Sequence, residues 1–411
     1  MEYRLKINHM FQSTQLSLPE SDIPAAACNK QERIMEKSIR NIIFPRCAIM
    51  LTLLLILTSC SDTSPIKIGF VGSITGRFSE LGVTARNTLQ LMTDEQNKAG
   101  GINGRKIELV IRDDKSSPEE AKAAIIDLVQ NNVRLILGPI TSAMAQATTE
   151  AIAGRDVLVM SPTMSTDFLA DKDDNLLRTA TSSTGQASTL ADRAISLGLG
   201  KTAIIGDMEN KKYATAIANR FKSIMKKAGK EIPVEIAFLS SQNPDFTSIA
   251  EKISAKNPDS ILFITNGFDA AMLSQALRKT KLKKEPFFGV SWAQSNDIIT
   301  HGGRAVEGMR LIGLHDYDNV APEIIALKKQ YISRYNKEPS FIYTCYAKIF
   351  KIAVYGLEKA KSDNSAQIKH SILDKKTFHV VGTEIVFNKY GDVKEEFNIL
   401  VIKNGKFVND I

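Results

Sequence analysis

Cys60 stands where lipid chemistry can reach a thiol. Ile49 to Thr58 reads I-M-L-T-L-L-L-I-L-T without a charge, with Lys37, Arg40 and Arg46 before it and Ser59-Cys60 after it. A basic start, an apolar run and closing small residues are the layout of a secretory signal. Leu57-Thr58-Ser59-Cys60 resembles the bacterial lipobox, whose cysteine is diacylated and becomes the new N-terminus. Several acyl chains on one residue anchor firmly, where a single chain is marginal. The run is too short to span a bilayer, which takes about 20 apolar residues. Residues 1–34 are polar and mixed in charge, whereas M-E-K-S-I-R-N-I-I-F-P-R from Met35 is an ordinary signal start. The expectation is therefore a leader over 1–59 with its true start at Met35, then a lipidated tether over 60–64.

Other residues of chemical interest lack the spacing that reactions need. Gly200-Lys201-Thr202 ends like a phosphate-binding loop, but position 195 is Ile, and the tripeptide precedes a strand instead of following one. Gly69, Gly72 and Gly76 do not make G-x-G-x-x-G. His301, His315, His370 and His379 have no metal-ligand spacing. Asp113-Asp114 sits at a strand end, where such pairs form turns and caps, and no G-x-S-x-G elbow occurs. Neither catalysis, nor a metal, nor a cofactor is expected; the chain reads as a binder.

Composition agrees. The 411 residues, 43% hydrophobic and 24% charged, are globular and long enough for two domains. Residues 1–59 hold seven Lys/Arg and five Asp/Glu, so the net charge of +8 falls to about +6 without them. The excess is spread out, densest at Lys226 to Lys230 and Lys279 to Lys284, with no aromatics interleaved at stacking spacing. These runs are solvated faces and no nucleic-acid partner is expected. Past residue 59 only Cys60 and Cys345 remain, so no intrachain disulfide is expected, and Cys345 reads as core.

The elements that would position a site alternate. Ile66–Val71, Lys106–Ile111, Arg134–Leu137 and Val157–Met160 read as strands between helices over 83–98, 121–130 and 142–152. Ser117-Pro118-Glu119-Glu120 is a capping box with proline at the first helical position. A second series has strands at 202–205, 234–239, 260–264 and 287–290 between helices at 190–197, 213–228, 246–255 and 270–279. Such alternation predicts an α/β fold of two similar lobes, each with a parallel sheet of about four strands covered on both faces. Helices follow at 323–336 and 340–361. Strands at 375–386 and 397–408 flank the turn Asn388–Asp392. No long linker separates the series, which favours a chain that crosses between lobes more than once.

Against this background, P-I-K-I-G-F-V-G-S-I-T-G over 65–76 resembles the opening strand and glycine-rich turn of the leucine/isoleucine/valine-binding protein family. So do N-K-A-G-G-I-N-G-R over 97–105, Arg112-Asp113-Asp114, L-G-P-I-T-S over 137–142 and Met160-Ser161-Pro162-Thr163. The resemblance covers about 65–411. It implies a type I periplasmic binding fold: two Rossmann-like lobes joined by a three-segment hinge and closing on a ligand. Lobe 1 would comprise 65–181 and 312–386, and lobe 2 would comprise 182–311 and 387–411. It also implies a monomer on the periplasmic side of a bacterial membrane, delivering its ligand to ABC permease subunits.

By the same resemblance, a ligand carboxylate sits at Thr141-Ser142, where a helix opens directly after a strand and Gly-Pro; backbone N–H groups and the helix dipole favour an anion there. Ser142 would serve equally as an N-cap. Thr163 would offer backbone groups and Ser165 its hydroxyl, with Tyr213 approaching from the second lobe and Phe78 covering the ligand. The departures are informative. An acidic residue expected after the strand at 287–290, to pair with a ligand ammonium, is Ser291 beside Trp292. Leu81 replaces an aromatic residue, and a cysteine pair of some members falls at Ser116 and Thr141. An unpaired buried ammonium would cost several kcal/mol. Either Asp207, Glu209 or Asp269 substitutes, or the ligand has no ammonium. Trp292, the only tryptophan, is a stacking wall or a core residue. Three classes follow: a transport receptor for an amino acid or related organic or aromatic acid, a sensor of the same fold acting on a partner protein, and an enzyme. The lipobox favours the first.

Overall fold

The computed structural model describes residues 64–76, 79–180, 182–314, 320–393 and 397–410. The leader over 1–59, the Met35 start, Cys60 and Phe78 lie outside the described residues. No described helix is long and apolar enough to cross a membrane.

Two sheets organise the chain. The first has strands β1 (Ile66–Gly72), β2 (Ile107–Asp113), β3 (Leu135–Leu137), β4 (Leu158–Ser161) and β5 (Leu176–Arg178), in spatial order β2-β1-β3-β4-β5. All pair in parallel. The second contains β6 (Thr202–Asp207), β7 (Glu235–Phe238), β8 (Ser260–Ile264), β9 (Phe287–Gly289) and β10 (Arg310–Gly313), in order β7-β6-β8-β9-β10. These also run parallel, in the same winding as β1 to β5. The topological repeat is exact although no sequence repeat is visible. Strands β1, β6 and β8 are nearly all apolar and buried along their length, as parallel strands covered on both faces must be.

Helices cover the sheets. In the first half they are α1 (Ser79–Lys98), α2 (Pro118–Gln130) and α3 (Ala145–Ile152). Ser117 accepts from the Glu120 N–H and Pro118 takes the first helical position, as expected of a capping box. In the second half they are α4 (Ser183–Ser196), α5 (Lys211–Lys227), α6 (Phe246–Ser254), α7 (Gly267–Arg278) and α8 (Asn296–Gly302). The chain then returns with α9 (Pro322–Tyr335), α10 (Ile342–Ala360) and α11 (Ser365–Lys375), which pack on α1 and on β3 and β4. Cys345 is buried in α10.

The C-terminal strands depart from expectation. The segments 375–386 and 397–408 do not pair with each other around 388–392. Each folds on itself: β11 (Thr377–Val380) with β12 (Thr383–Val386), and β13 (Asn398–Lys403) with β14 (Lys406–Asn409). The turns are Val381-Gly382 and Asn404-Gly405, all four residues at positive φ. Asn-Gly is the strongest short hairpin signal, because a two-residue turn matching strand twist needs φ > 0 at both positions. β13 then pairs antiparallel with β10, extending the second sheet to seven strands. Asp410 locks it there, accepting from Arg193 at 2.7 Å and Arg310 at 2.8 Å. Strands β5 and β10 and helices α8 and α11 were not expected. The strands are only three and four residues long, too short to show a period.

Candidate functional site

In this winding, β1 and β3 are neighbours although β2 lies between them in sequence, and ligands bind beyond the carboxyl ends of strands at such a switch point. β3 ends at Leu137, and Gly138 turns the chain with φ 114°. A Cβ at Gly138 would lie 2.1 Å from the Val71 carbonyl oxygen, so only glycine lets β1 and β3 stay this close. After Thr141, a 3-10 turn over Ser142–Met144 runs into α3. A helix start leaves backbone N–H groups unbonded and carries the positive end of the dipole.

The loop after β4 is tied to this turn. Ser161 Oγ donates to the Pro139 carbonyl at 2.7 Å and accepts from Met164 N at 3.1 Å. Thr163 Oγ1 donates to the Ile140 carbonyl at 2.8 Å. Ser165 N donates to Ser142 Oγ at 3.1 Å, which leaves the Ser142 hydroxyl hydrogen for another acceptor. The Ser165 carbonyl accepts from Ser183 N and Oγ at 2.8 and 2.9 Å. Behind the loop, Arg178 Nη1 donates to the carbonyls of Met164 and Thr166 at 3.3 and 2.8 Å. The Arg178 guanidinium is fully covered and meets Asp392 at 2.6 Å.

The facing wall comes from the second half. Asn210 and Tyr213 stand at the start of α5, and Ser291 and Trp292 follow β9. Tyr213 Oη donates to Gln186 Oε1 at 2.8 Å and lies 3.4 Å from Ser291 Oγ, while Gln186 Oε1 also accepts from Ser291 N at 3.2 Å. Burial pushes the Tyr213 phenol well above its ordinary value, so it stays a neutral donor. The Trp292 ring meets Tyr213 edge-to-face, with centroids 6.1 Å apart. Asn210 Oδ1 is buried without a hydrogen-bond partner.

Between the walls lies a partly open cavity that continues into a second one. The two share Thr163, Ser165, Ser291 and Leu314. Thr141, Ser142, Tyr213 and Trp292 line the first. Seven of the residues singled out from sequence thus surround one space, with Leu81 also at its edge. Asp207 is not among them. It caps the 3-10 turn Met208–Asn210, accepting from Glu209 N and Ser240 N. Its burial raises the carboxyl from 3.8 to about 6. Glu209 accepts from Ser241 N, and Asp269 pairs with Asn266 at the start of α7; neither lines the cavity. Among the described residues no carboxylate lines it at all.

Among the lining residues that the sequence alone did not single out are Gln186, Asn210 and Lys348. Gln186 lies in a helical turn N-terminal to the expected helix start. Lys348 carried a signal, since it falls three residues after Cys345 on a face of α10 that is otherwise apolar. At the rim, Lys212 Nζ donates to Gln146 Oε1 at 3.0 Å and sits 3.8 Å from the Phe168 ring. Glu80 meets Ser295 and Asn296 from the other side; burial, with Asp297 nearby, raises its carboxyl from 4.5 to about 7.

The chain belongs to the periplasmic binding protein family, whose model matches residues 65–406. Among curated relatives, the Leu/Ile/Val-binding protein BraC3 of Rhizobium johnstonii is 24% identical over 347 residues, 84% of this chain and 93% of the relative. The leucine-, isoleucine-, valine-, threonine- and alanine-binding protein of Pseudomonas aeruginosa is 24% identical over 331 residues, 80% of this chain and 87% of the relative. Among solved structures, LivJ of Streptococcus pneumoniae, a branched-chain amino acid transporter substrate-binding protein in complex with isoleucine, superposes with TM-score 0.76 at 24% identity, covering 84% of this chain and all of LivJ. A solute-binding protein of an ABC transporter from R. palustris, in complex with benzoate, gives 0.74 at 20% identity over 84% of this chain and 95% of that one. The fold is the two-lobed type I periplasmic binding fold.

Proposed function

We propose that this protein is an extracytoplasmic substrate-binding lipoprotein of an ABC importer that closes two lobes around a small carboxylate, an amino acid or a related organic or aromatic acid. One observation carries this reading: residues of both halves of the chain line one partly open cleft, and one wall of it presents the Thr141-Ser142 helix start with the Ser165 loop bonded to it. A carboxylate there would take the Ser142 hydroxyl hydrogen and backbone N–H groups, and hydrogen bonds to a charged group contribute about 1.5–3 kcal/mol each. The relatives' names agree in class, since they cover branched-chain amino acids and benzoate. Cys60 supplies the membrane anchor, and the permease is the partner that receives the closed form. No catalysis is required of any lining residue. A thermal-shift screen of amino acids and aromatic acids tests the reading, because a ligand that binds only the folded state raises the melting temperature. A carboxylate that raises it in a saturable way supports the proposal; a flat response to the whole panel opposes it.

A further inference from the structure

Resting on the proposed capture of a carboxylate, we infer that the ligand carries no ammonium group and sets an anionic group against Lys348. Lys348 lies in the middle of α10, is 6% exposed, and lines the inner part of the cavity together with Cys345 and Gln186. No hydrogen bond or ion pair to it exists among the described residues, although every carboxylate near the cavity is engaged elsewhere or outside its lining. The stem of its side chain is covered while its ammonium opens onto the cavity, so an arriving anion meets a partly desolvated cation with no competing partner among the described residues.

The remainder of the lining points the same way. An amino acid brings an ammonium that needs a carboxylate, and the described lining offers none, only neutral groups such as hydroxyls and the Asn210 and Gln186 amides beside one lysine. The position expected to be acidic is Ser291, whose N–H is already bonded to Gln186. A zwitterion would thus place a second positive charge in a space that already contains one. An acid without ammonium instead neutralises Lys348. The Ser142 end and the Lys348 end belong to different parts of the cavity joined at Thr163 and Ser165. A monocarboxylate seated at the junction, against Ser165, turns one oxygen to the Ser142 end and the other toward Lys348, whereas a dicarboxylate sets one group at each end.

The test is calorimetry with benzoate, glutarate and leucine on the wild type, Lys348→Met and the Ser142→Ala/Ser165→Ala double variant, with melting temperatures of the ligand-free proteins. Benzoate or glutarate binds the wild type at least tenfold more tightly than leucine, and K348M loses at least tenfold for that acid. The better acid tells one charged group from two. Methionine keeps the volume and removes the charge from the cavity lining, so ligand-free K348M melts no lower than the wild type. Leucine binding as tightly as the acids, unchanged acid affinity in K348M, or a lower melting temperature of K348M overturns the inference. If leucine binds and the serine double variant weakens it, carboxylate capture stands and only this inference falls. If none of the three binds at millimolar concentration, both fall.

Discussion

The two walls of the cavity are built differently. The first-lobe wall is a lattice of backbone and hydroxyl bonds: Ser161 to Pro139, Thr163 to Ile140 and Ser165 to Ser142, backed by Arg178 on two loop carbonyls. Its shape is set before any ligand arrives, and its open valences are donors. The second-lobe wall is made of side chains that satisfy each other, Tyr213 with Gln186 and Ser291, and an edge-to-face contact between Tyr213 and Trp292. Asn210 alone there presents a buried oxygen without a partner. Under the proposed function the contrast becomes a division of labour: the first wall would seat the anion, and the second would supply shape and selection.

That division can be broken in stages. Arg178→Ala has the largest effect. It strips the loop carbonyls of Met164 and Thr166 of their donor and leaves the half-buried Asp392 without its cation, a change that costs about 3 kcal/mol; chemical denaturation reads it directly. Ser142→Ala/Ser165→Ala takes the acceptor from the buried Ser165 N–H, a stability cost of about 1–3 kcal/mol, and weakens carboxylate binding at least tenfold, since each lost charged hydrogen bond contributes about 1.5–3 kcal/mol. Tyr213→Phe acts on selection more than on the anion seat. It removes one of the two donors to Gln186 Oε1, a loss of about 0.5–1.5 kcal/mol in stability, and changes the ratio of affinities between two acids more than their mean.

At the rim, Glu80→Gln tests whether closure titrates. The Glu80 and Asp207 carboxyls are raised by burial to about 7 and about 6. A raised acid means that the folded state holds its proton more tightly than the unfolded chain. The stability these groups contribute is complete below their ordinary values and is lost as pH rises through 6 to 7. The melting temperature therefore falls between pH 5 and pH 8, and E80Q flattens that fall. An identical slope in E80Q would remove Glu80 from the account.

The first wall was far more legible in the sequence than the second. Thr141, Ser142, Thr163 and Ser165 sit in short loops between strand and helix, where local residue order dictates backbone geometry and Gly-Pro marks the turn. The second wall is assembled by long-range packing. Gln186 lies in a helix whose first turns, S-T-G-Q-A-S-T, have no apolar period, and it reaches Ser291 across 105 positions. Asp207 illustrates the reverse error: an acid at a strand end near the site turned inward to cap its own 3-10 turn. The fold was readable as two parallel-sheet lobes because the apolar runs of β1, β6 and β8 are long and continuous. The C-terminal hairpins were misread because the polar cluster 388–392 outweighed the Asn404-Gly405 turn.

The most direct test of the central claim is calorimetry on the wild type and the S142A/S165A variant, using the acid that gives the largest thermal shift. Saturable one-to-one binding to the wild type and at least a tenfold loss in the variant are expected, with the ligand-free variant melting somewhat lower but folded at the temperature of the titration. Equal affinity in the two proteins would contradict the placement of the carboxylate at this helix start.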